Sequence, residues 1–214
     1  MKLQQLRAQF DAQQIDAMLI TNPINVSYLS GFTGDDSYIL VTEKEAIFFT
    51  DSRYTEQVKH ETTVFRLVER QSTLLEEVVR EVKEQGIHHV GFEKEYVTYA
   101  TFQLFDKYID AQIVGVSGLI EKLRLIKTPE EITIIKAACR IVDKTFEHII
   151  SYIEPGMTEL QVSNEMEHHM RKLGAKSSSF DTIVASGWRS ALPHGTATDK
   201  IIATGDIVTL DFGA

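Results

Sequence analysis

The sequence predicts an α/β domain followed by a second domain that begins with two long helices. Short β-type runs alternate with amphipathic helical runs over the first half of the chain, a pattern typical of helices packed on a sheet. The pattern changes near Ile120, where longer helical stripes replace it. The length of 214 residues is sufficient for two domains of ordinary size.

The candidate elements of the first half alternate in type along the chain. In order, they are a helix over 3–10, a strand over 17–21 ended by a turn at Asn22-Pro23, strands over 38–41, 46–49 and 64–68, a helix over 73–84, a strand over 90–92, a helix over 99–108 and a strand over 112–116. The charged segment between the second and third strands is typical of a hairpin connection. This half therefore predicts a sheet with helices packed on it.

A long helix is predicted to open the second half of the chain. Thr128 can cap it, Pro129 suits its first turn, and Glu131 can reach back to the cap. Its apolar residues recur at helical spacing and predict one long buried stripe; they are Ile134, Ala138, Ile141, Val142, Phe146, Ile149 and Ile153. The only cysteine, Cys139, lies in this helix, and we expect it to be packed as a small apolar side chain.

A second helix follows after the short turn at 154–156. Thr158 and Gln161 have the spacing of a capping box, and Gly174 is placed where a helix needs a left-handed C-terminal residue. Beyond it the chain becomes β-like, with candidate strands over 182–185, 201–203 and 207–212. The second domain is therefore predicted to pair two helices with a small sheet.

Composition and motif content exclude several classes of function. The 22 Lys and Arg against 31 Asp and Glu leave a net charge of −9, which would repel a nucleic-acid backbone. Apolar runs such as 46–49 are far shorter than the roughly 20 residues of a membrane span, and residues 1–14 lack the apolar core of a signal peptide. We therefore expect a cytoplasmic protein with no nucleic-acid or membrane partner. No GxGxxG, Walker A, GxSxG or CxxC motif occurs.

Two residues near the end of the chain are the strongest candidates for chemistry. His194 lies in the small-residue loop 190–195, where a side chain can be displayed to a cleft. Asp211 lies in the apolar run 208–213, and burying a carboxylate there is costly unless a cation meets it. The alternative is that Asp211 marks a strand end and points into water.

Two further groups of polar residues have weaker patterns. Glu165, His168 and His169 have helical spacing that could hold a metal, although a solvated helix face explains them equally simply. The second group is acidic and follows a glycine-containing loop; it consists of Asp35, Asp36 and Asp51, with Arg53 nearby. Such a loop could bind a ligand or form a plain turn.

Several segments in the same order and spacing resemble the Xaa-Pro aminopeptidase and prolidase family. In the second half these are LRLIKTPEEI at 123–132, FDTIVASG at 180–187, SALPHG at 190–195 and GDIVTLDFGA at 205–214. In the first half, TNPINVSYLSGF at 21–32 and DSRY at 51–54 resemble the non-catalytic N-terminal domain of that family. The resemblance covers essentially the whole chain.

The resemblance implies a fold and a site. Residues 1–122 correspond to a creatinase-like α/β domain, and residues 123–214 to the first half of an α+β pita-bread catalytic domain that encloses two divalent metal ions. Asp211 is similar to the family's first metal-ligand aspartate, and His194 to the histidine that contacts substrate and handles protons. Manganese or cobalt would suit such a carboxylate-rich site, with zinc as an alternative.

The resemblance also implies a substrate class and a missing part. Family members hydrolyse the bond before proline in short peptides, as dipeptidases or aminopeptidases, and a homodimer is expected. The family's second aspartate, its histidine ligand and its two glutamates have no counterpart in residues 1–214. We therefore expect a truncated, inactive chain with an unpaired strand edge near 207–212. The alternatives are a catalytically dead scaffold protein of this fold and a creatinase-like amidinohydrolase.

Overall fold

The chain divides into two units, 1–126 and 127–214, in a computed structural model that describes residues 1–214. The boundary predicted between residues 122 and 123 falls inside helix α7 (Leu119–Leu125) of the first unit. No helix is both long enough and apolar enough to cross a bilayer.

The first unit is built on a six-stranded sheet with the strand order β4-β3-β2-β1-β5-β6. Its strands are β1 (Ala17–Ile20), β2 (Tyr38–Thr42), β3 (Ala46–Thr50), β4 (Arg66–Glu69), β5 (His89–Glu93) and β6 (Gln112–Val116). Only β2 runs antiparallel to its neighbours, and the remaining pairs are parallel. The predicted hairpin is therefore confirmed as β2–β3, and the predicted strand over 64–68 begins slightly later, at Arg66.

Helices cover both faces of this sheet. Before α7 they are α1 (Lys2–Arg7), α2 (Phe10–Gln13), α3 (Pro23–Ser30), α4 (Thr55–Glu61), α5 (Leu74–Glu84) and α6 (Tyr99–Tyr108). Along β1, Met18 and Ile20 belong to one buried cluster, whereas Ala17 and Leu19 belong to the other. Because alternate strand residues point to opposite faces, the central strand is buried on both sides. The predicted α/β layer structure is confirmed.

Helix α3 replaces the turn that the sequence predicted at Asn22-Pro23, and that prediction was wrong. The Asn22 side chain accepts a hydrogen bond from the Ile24 amide at 3.0 Å, and Pro23 occupies the first helical position. An asparagine cap followed by proline is a start signal of the same kind as Thr128-Pro129. Gly31 then ends the helix with a left-handed φ of 80°, a conformation that favours glycine.

The second unit pairs two helices with a two-stranded antiparallel sheet. Its elements are α8 (Pro129–Tyr152), α9 (Glu159–Lys172), β7 (Ile183–Ser186), a 3₁₀-helix (Gly187–Ala191) and β8 (Val208–Asp211). Both predicted capping boxes are present, at Thr128 and Thr158. The strand predicted over 201–203 is wrong, because Ile201 forms only an isolated bridge with Thr158.

The apolar stripe of α8 is buried only towards its C-terminal end, which corrects the prediction of one long buried face. Ile149 is fully buried in a cluster with Val162 and Val184, whereas Ile134 is 69% exposed. Helix α8 has 24 residues and α9 has 14, so their lengths are about 36 and 21 Å. The shorter helix cannot cover the longer one. Cys139 lies on the uncovered part and is exposed rather than packed.

Candidate active-site loop and strand

Strand β7 lies between the two residues that the sequence singled out. Ile183 of β7 pairs with Asp211 of β8 on one side and forms a bridge with Thr196 on the other. Neighbouring strands are separated by roughly 4.8 Å, which places the backbones of Asp211 and Thr196 about 10 Å apart. His194 precedes Thr196 by two residues. The fold therefore brings the histidine loop and the aspartate strand to opposite edges of β7.

Asp211 lies on the face of this small sheet that points away from the helices. Val184 and Leu210 form a cross-strand pair and pack in the core with α8 and α9. The next pair, Ile183 and Asp211, must point to the other face because strand side chains alternate. Asp211 is the last residue of β8 and is exposed. This placement agrees with the alternative that the sequence left open, a carboxylate at a strand end that points into water, and the role of Asp211 as a metal ligand stays a prediction.

The loop that carries His194 lies closely against β7. A Cβ atom built on Gly195 would be 2.8 Å from the Cβ of Ala185, a separation that real side chains do not adopt. The amide of Thr196 donates to the carbonyl of His194 at 2.9 Å, which tightens the loop just after the histidine. His194 itself is exposed. Its imidazole is therefore displayed on a backbone that is held close to the sheet.

The helical cluster at Glu165 is joined by a histidine that the sequence did not single out. His148 of α8 lies 2.6 Å from Glu165 Oε1 and stacks on His169 with 4.2 Å between ring centroids. Burial, followed by repulsion from His148, lowers the pKa of His169. His168 is exposed. These contacts join α8 to α9, which favours a structural role for the cluster.

The acidic loop of the first unit is an ion-pair network. Arg53 contacts Asp36 at 2.5 Å and Asp51 at 2.6 Å. Its hydrogen bonds to Asp51 lower the pKa of that carboxyl to about 2. Arg53 therefore pairs with two of the three carboxylates of this group, Asp36 and Asp51, which favours a structural role over ligand binding.

Residues 1–214 do not contain a complete metal site. Nowhere in residues 1–214 do three or more His, Cys, Asp or Glu side chains come together in a way that could hold a metal ion. Asp211 is the only residue that the resemblance assigns as a ligand, and one carboxylate does not hold two ions. Residues 1–214 by themselves therefore do not fit the two-metal site that the resemblance implies.

The comparisons with known proteins first define the class of the chain. Residues 2–126 match the Creatinase/Prolidase N-terminal domain, and residues 133–214 match metallopeptidase family M24. These two segments closely follow the two structural units. The chain belongs to the creatinase/prolidase family, and its second unit is part of an M24 metallopeptidase domain.

Three relatives illustrate the likeness. The chain is 48% identical over its whole length to the uncharacterized peptidase YqhT of Bacillus subtilis and covers 61% of that protein. It is 35% identical to the Xaa-Pro dipeptidase of Pyrococcus furiosus and covers 60% of it. The solved structure of the Xaa-Pro dipeptidase from Bacillus anthracis superimposes with a TM-score of 0.95 at 50% identity, over 100% of this chain and 60% of that one. The predicted fold class is confirmed, and the chain spans about 60% of the length of these relatives.

Proposed function

We propose that the whole protein is a metal-dependent exopeptidase that hydrolyses the bond before proline in short peptides. The observation that carries this proposal is the placement of His194 and Asp211 at opposite edges of β7, within the segment that matches M24 peptidases. The names of the relatives support the substrate class, since those from P. furiosus and B. anthracis are Xaa-Pro dipeptidases.

In this proposal each of the two residues has a distinct role. Asp211 is a metal ligand, because a carboxylate is a hard oxygen donor suited to Mn²⁺ and similar ions. His194 contacts the substrate and moves a proton, because a neutral imidazole has one donor and one acceptor nitrogen. Bound metal ions would polarise the scissile carbonyl. The remaining ligands are contributed from outside residues 1–214, so that the 214-residue polypeptide alone is inactive.

Activity of the whole protein towards a small set of substrates tests the proposal. The protein, expressed with the additional length that its relatives have, is assayed on Ala-Pro, Ala-Pro-Ala and creatine after chelation and addition of Mn²⁺, Co²⁺ or Zn²⁺. Cleavage of Ala-Pro indicates a dipeptidase, and cleavage of Ala-Pro-Ala indicates an aminopeptidase. Hydrolysis of creatine instead would establish an amidinohydrolase. Binding of the peptides without cleavage would indicate a scaffold protein.

Variants at two histidines test the assigned role of the loop. We expect His194→Ala to lower kcat/KM by about 100-fold or more, the usual effect of losing a general acid or base. The matched control is His168→Ala, which removes an exposed histidine of α9 and should leave the rate unchanged. Equal rates for the two variants would reject the role of His194.

Assembly and location are further parts of the proposal. We propose a cytoplasmic homodimer, on the basis of family resemblance. Sedimentation of the whole protein tests the dimer, and a single monomeric species at micromolar concentration would contradict it.

A further inference from the structure

Glu159, at the start of α9, holds a fully buried carboxylate that accepts five hydrogen bonds. Its side chain has no exposed area. The donors are Ser186 N at 2.7 Å, Ser186 Oγ at 2.9 Å, Arg189 Nε at 3.1 Å, Thr198 N at 3.1 Å and Thr198 Oγ1 at 2.8 Å. Burial by itself raises the pKa of Glu159, but the bonds from Ser186 and Thr198 outweigh it, and the net shift is downward. The group is therefore a paired anion in the folded protein.

These donors lie at the two ends of the segment that carries His194. Ser186 ends β7 and Arg189 belongs to the 3₁₀-helix, both before the histidine, whereas Thr198 follows it. Arg189 also donates through Nη2 to the carbonyl of Thr196 at 2.7 Å. The carboxylate of Glu159 and the guanidinium of Arg189 thus connect the segment before His194 to the segment after it, and they close the base of the loop.

The same network continues to the turn that precedes the strand of Asp211. Ser186 Oγ donates to Glu159 and accepts from the Lys200 ammonium at 2.8 Å. Lys200 in turn donates to Asp206 at 2.8 Å, in the turn that precedes β8. A single buried carboxylate therefore lies at the centre of contacts that reach both the histidine loop and the turn before the aspartate strand.

Capping of α9 does not account for this arrangement. A capping carboxylate accepts hydrogen bonds from the first amides of its own helix, whereas all five donors of Glu159 belong to residues 186–198. The amides of Glu159 and Leu160 instead donate to the carbonyls of Lys200 and Thr198. Thr158 performs the capping through its own hydroxyl, which accepts from the Gln161 amide. Both the side chain of Glu159 and the first amides of its helix therefore form hydrogen bonds with the segment 186–200.

We propose that Glu159 is a positioning residue that sets the location of the His194 imidazole by closing this loop. The proposal rests on the proposed function, because it requires that His194 acts on the substrate. Glu159 does not touch the substrate itself, and it acts through Arg189 and Thr198. If Glu159 loses its charge, the contacts that hold Arg189 and Thr198 together weaken, and the imidazole of His194 is displaced.

A double-mutant cycle in the whole protein tests this coupling. Glu159→Gln keeps the shape of the side chain but presents an amide donor to one side of a site filled with donors. We expect kcat to fall by about 10- to 100-fold, since small displacements of a catalytic group have effects of this size, with KM changed by less than about threefold. In a His194→Ala background, Glu159→Gln should have no further effect on kcat, because its effect passes through the imidazole.

The controls separate positioning from stability and from failure of the proposed function. Glu165→Gln removes a paired carboxylate of the same helix and should leave kcat unchanged. Thr198→Val removes only one of the five hydrogen bonds to Glu159 and is the substitute if Glu159→Gln does not fold. We expect it to fold and to lower kcat by a smaller factor. The proposal would be overturned if Glu159→Gln lowered kcat by the same factor with and without His194. It would also be overturned if Glu159→Gln lowered kcat no more than Glu165→Gln does. If His194→Ala alone left activity intact, the proposed function would fail instead.

Discussion

The close approach of Gly195 to β7 leads to a sharp expectation for Gly195→Ala. The added Cβ would lie 2.8 Å from the Cβ of Ala185, whereas ordinary contact begins at 3.4 Å, so one of the two must move by about 0.6 Å. Its other near atoms, the Arg189 carbonyl at 3.4 Å and the Leu192 Cβ at 3.5 Å, are at ordinary contact. Overpacking of this kind costs about 1–3 kcal/mol of unfolding free energy.

A second substitution makes the expectation specific to one pair of atoms. Ala185→Gly removes the Cβ that the new methyl group would meet, at a cost of about 0.5–1 kcal/mol for a glycine in a strand. In that background Gly195→Ala should cost at least about 1 kcal/mol less than it does alone. The two single variants and the double variant form a complete cycle.

Urea unfolding provides the measurement. The only tryptophan of the chain, Trp188, lies in the 3₁₀-helix next to this loop but is 72% exposed, so unfolding is followed by far-ultraviolet circular dichroism together with its fluorescence. Unfolding free energies of the four proteins give the coupling between the two positions. Additivity within about 0.5 kcal/mol would show that the loop does not press on Ala185, and would refute the packing argument for Gly195.

Three further outcomes test the core, the charges and a helix cap. Ile149→Ala should lower the unfolding free energy of the second unit by about 2–5 kcal/mol, whereas the matched change at the exposed Ile134 should cost under about 0.5 kcal/mol; equal losses in urea unfolding would contradict the partial burial of α8. Because the folded pKa of Asp51 is lowered from 3.8 to about 2, its contribution to stability is complete above pH 3.8 and is lost as the pH falls towards 2. The urea midpoint of Asp51→Asn should lack that part of the acid dependence, and an unchanged acid profile would count against the network. Asn22→Ala should cost about 1 kcal/mol in thermal unfolding of the first unit, and no change would mean that the cap of α3 is not formed.

Local signals in the sequence predicted much of the fold. The capping boxes at Thr128 and Thr158 marked the starts of α8 and α9, because these motifs involve residues only three positions apart. The charged residues between β2 and β3 similarly predicted the hairpin. The start signal at Asn22-Pro23 was also present, but helix α3 lacks the one-sided apolar pattern that would have distinguished it from a turn.

Burial was predicted less well than secondary structure. The apolar stripe of α8 indicated correctly which face is apolar, but Ile134 and Cys139 are exposed because no element of the second unit covers that half of the helix. The sequence left open whether Asp211 is buried within its strand or exposed at a strand end, and the structure places it exposed at the end of β8. Periodicity describes one element, whereas burial depends on how far its neighbours extend.

By itself, the sequence determined the order of helices and strands, the family, and the two residues His194 and Asp211 as candidates for chemistry. Only the tertiary structure decided that these two lie at opposite edges of β7 and that Glu159 organises the loop between them. Glu159 is separated from Ser186 by 27 residues and from Thr198 by 39, so no local pattern relates them. Helix caps and strand alternation act between near neighbours in the chain, but the partners of a buried charge are selected by folding.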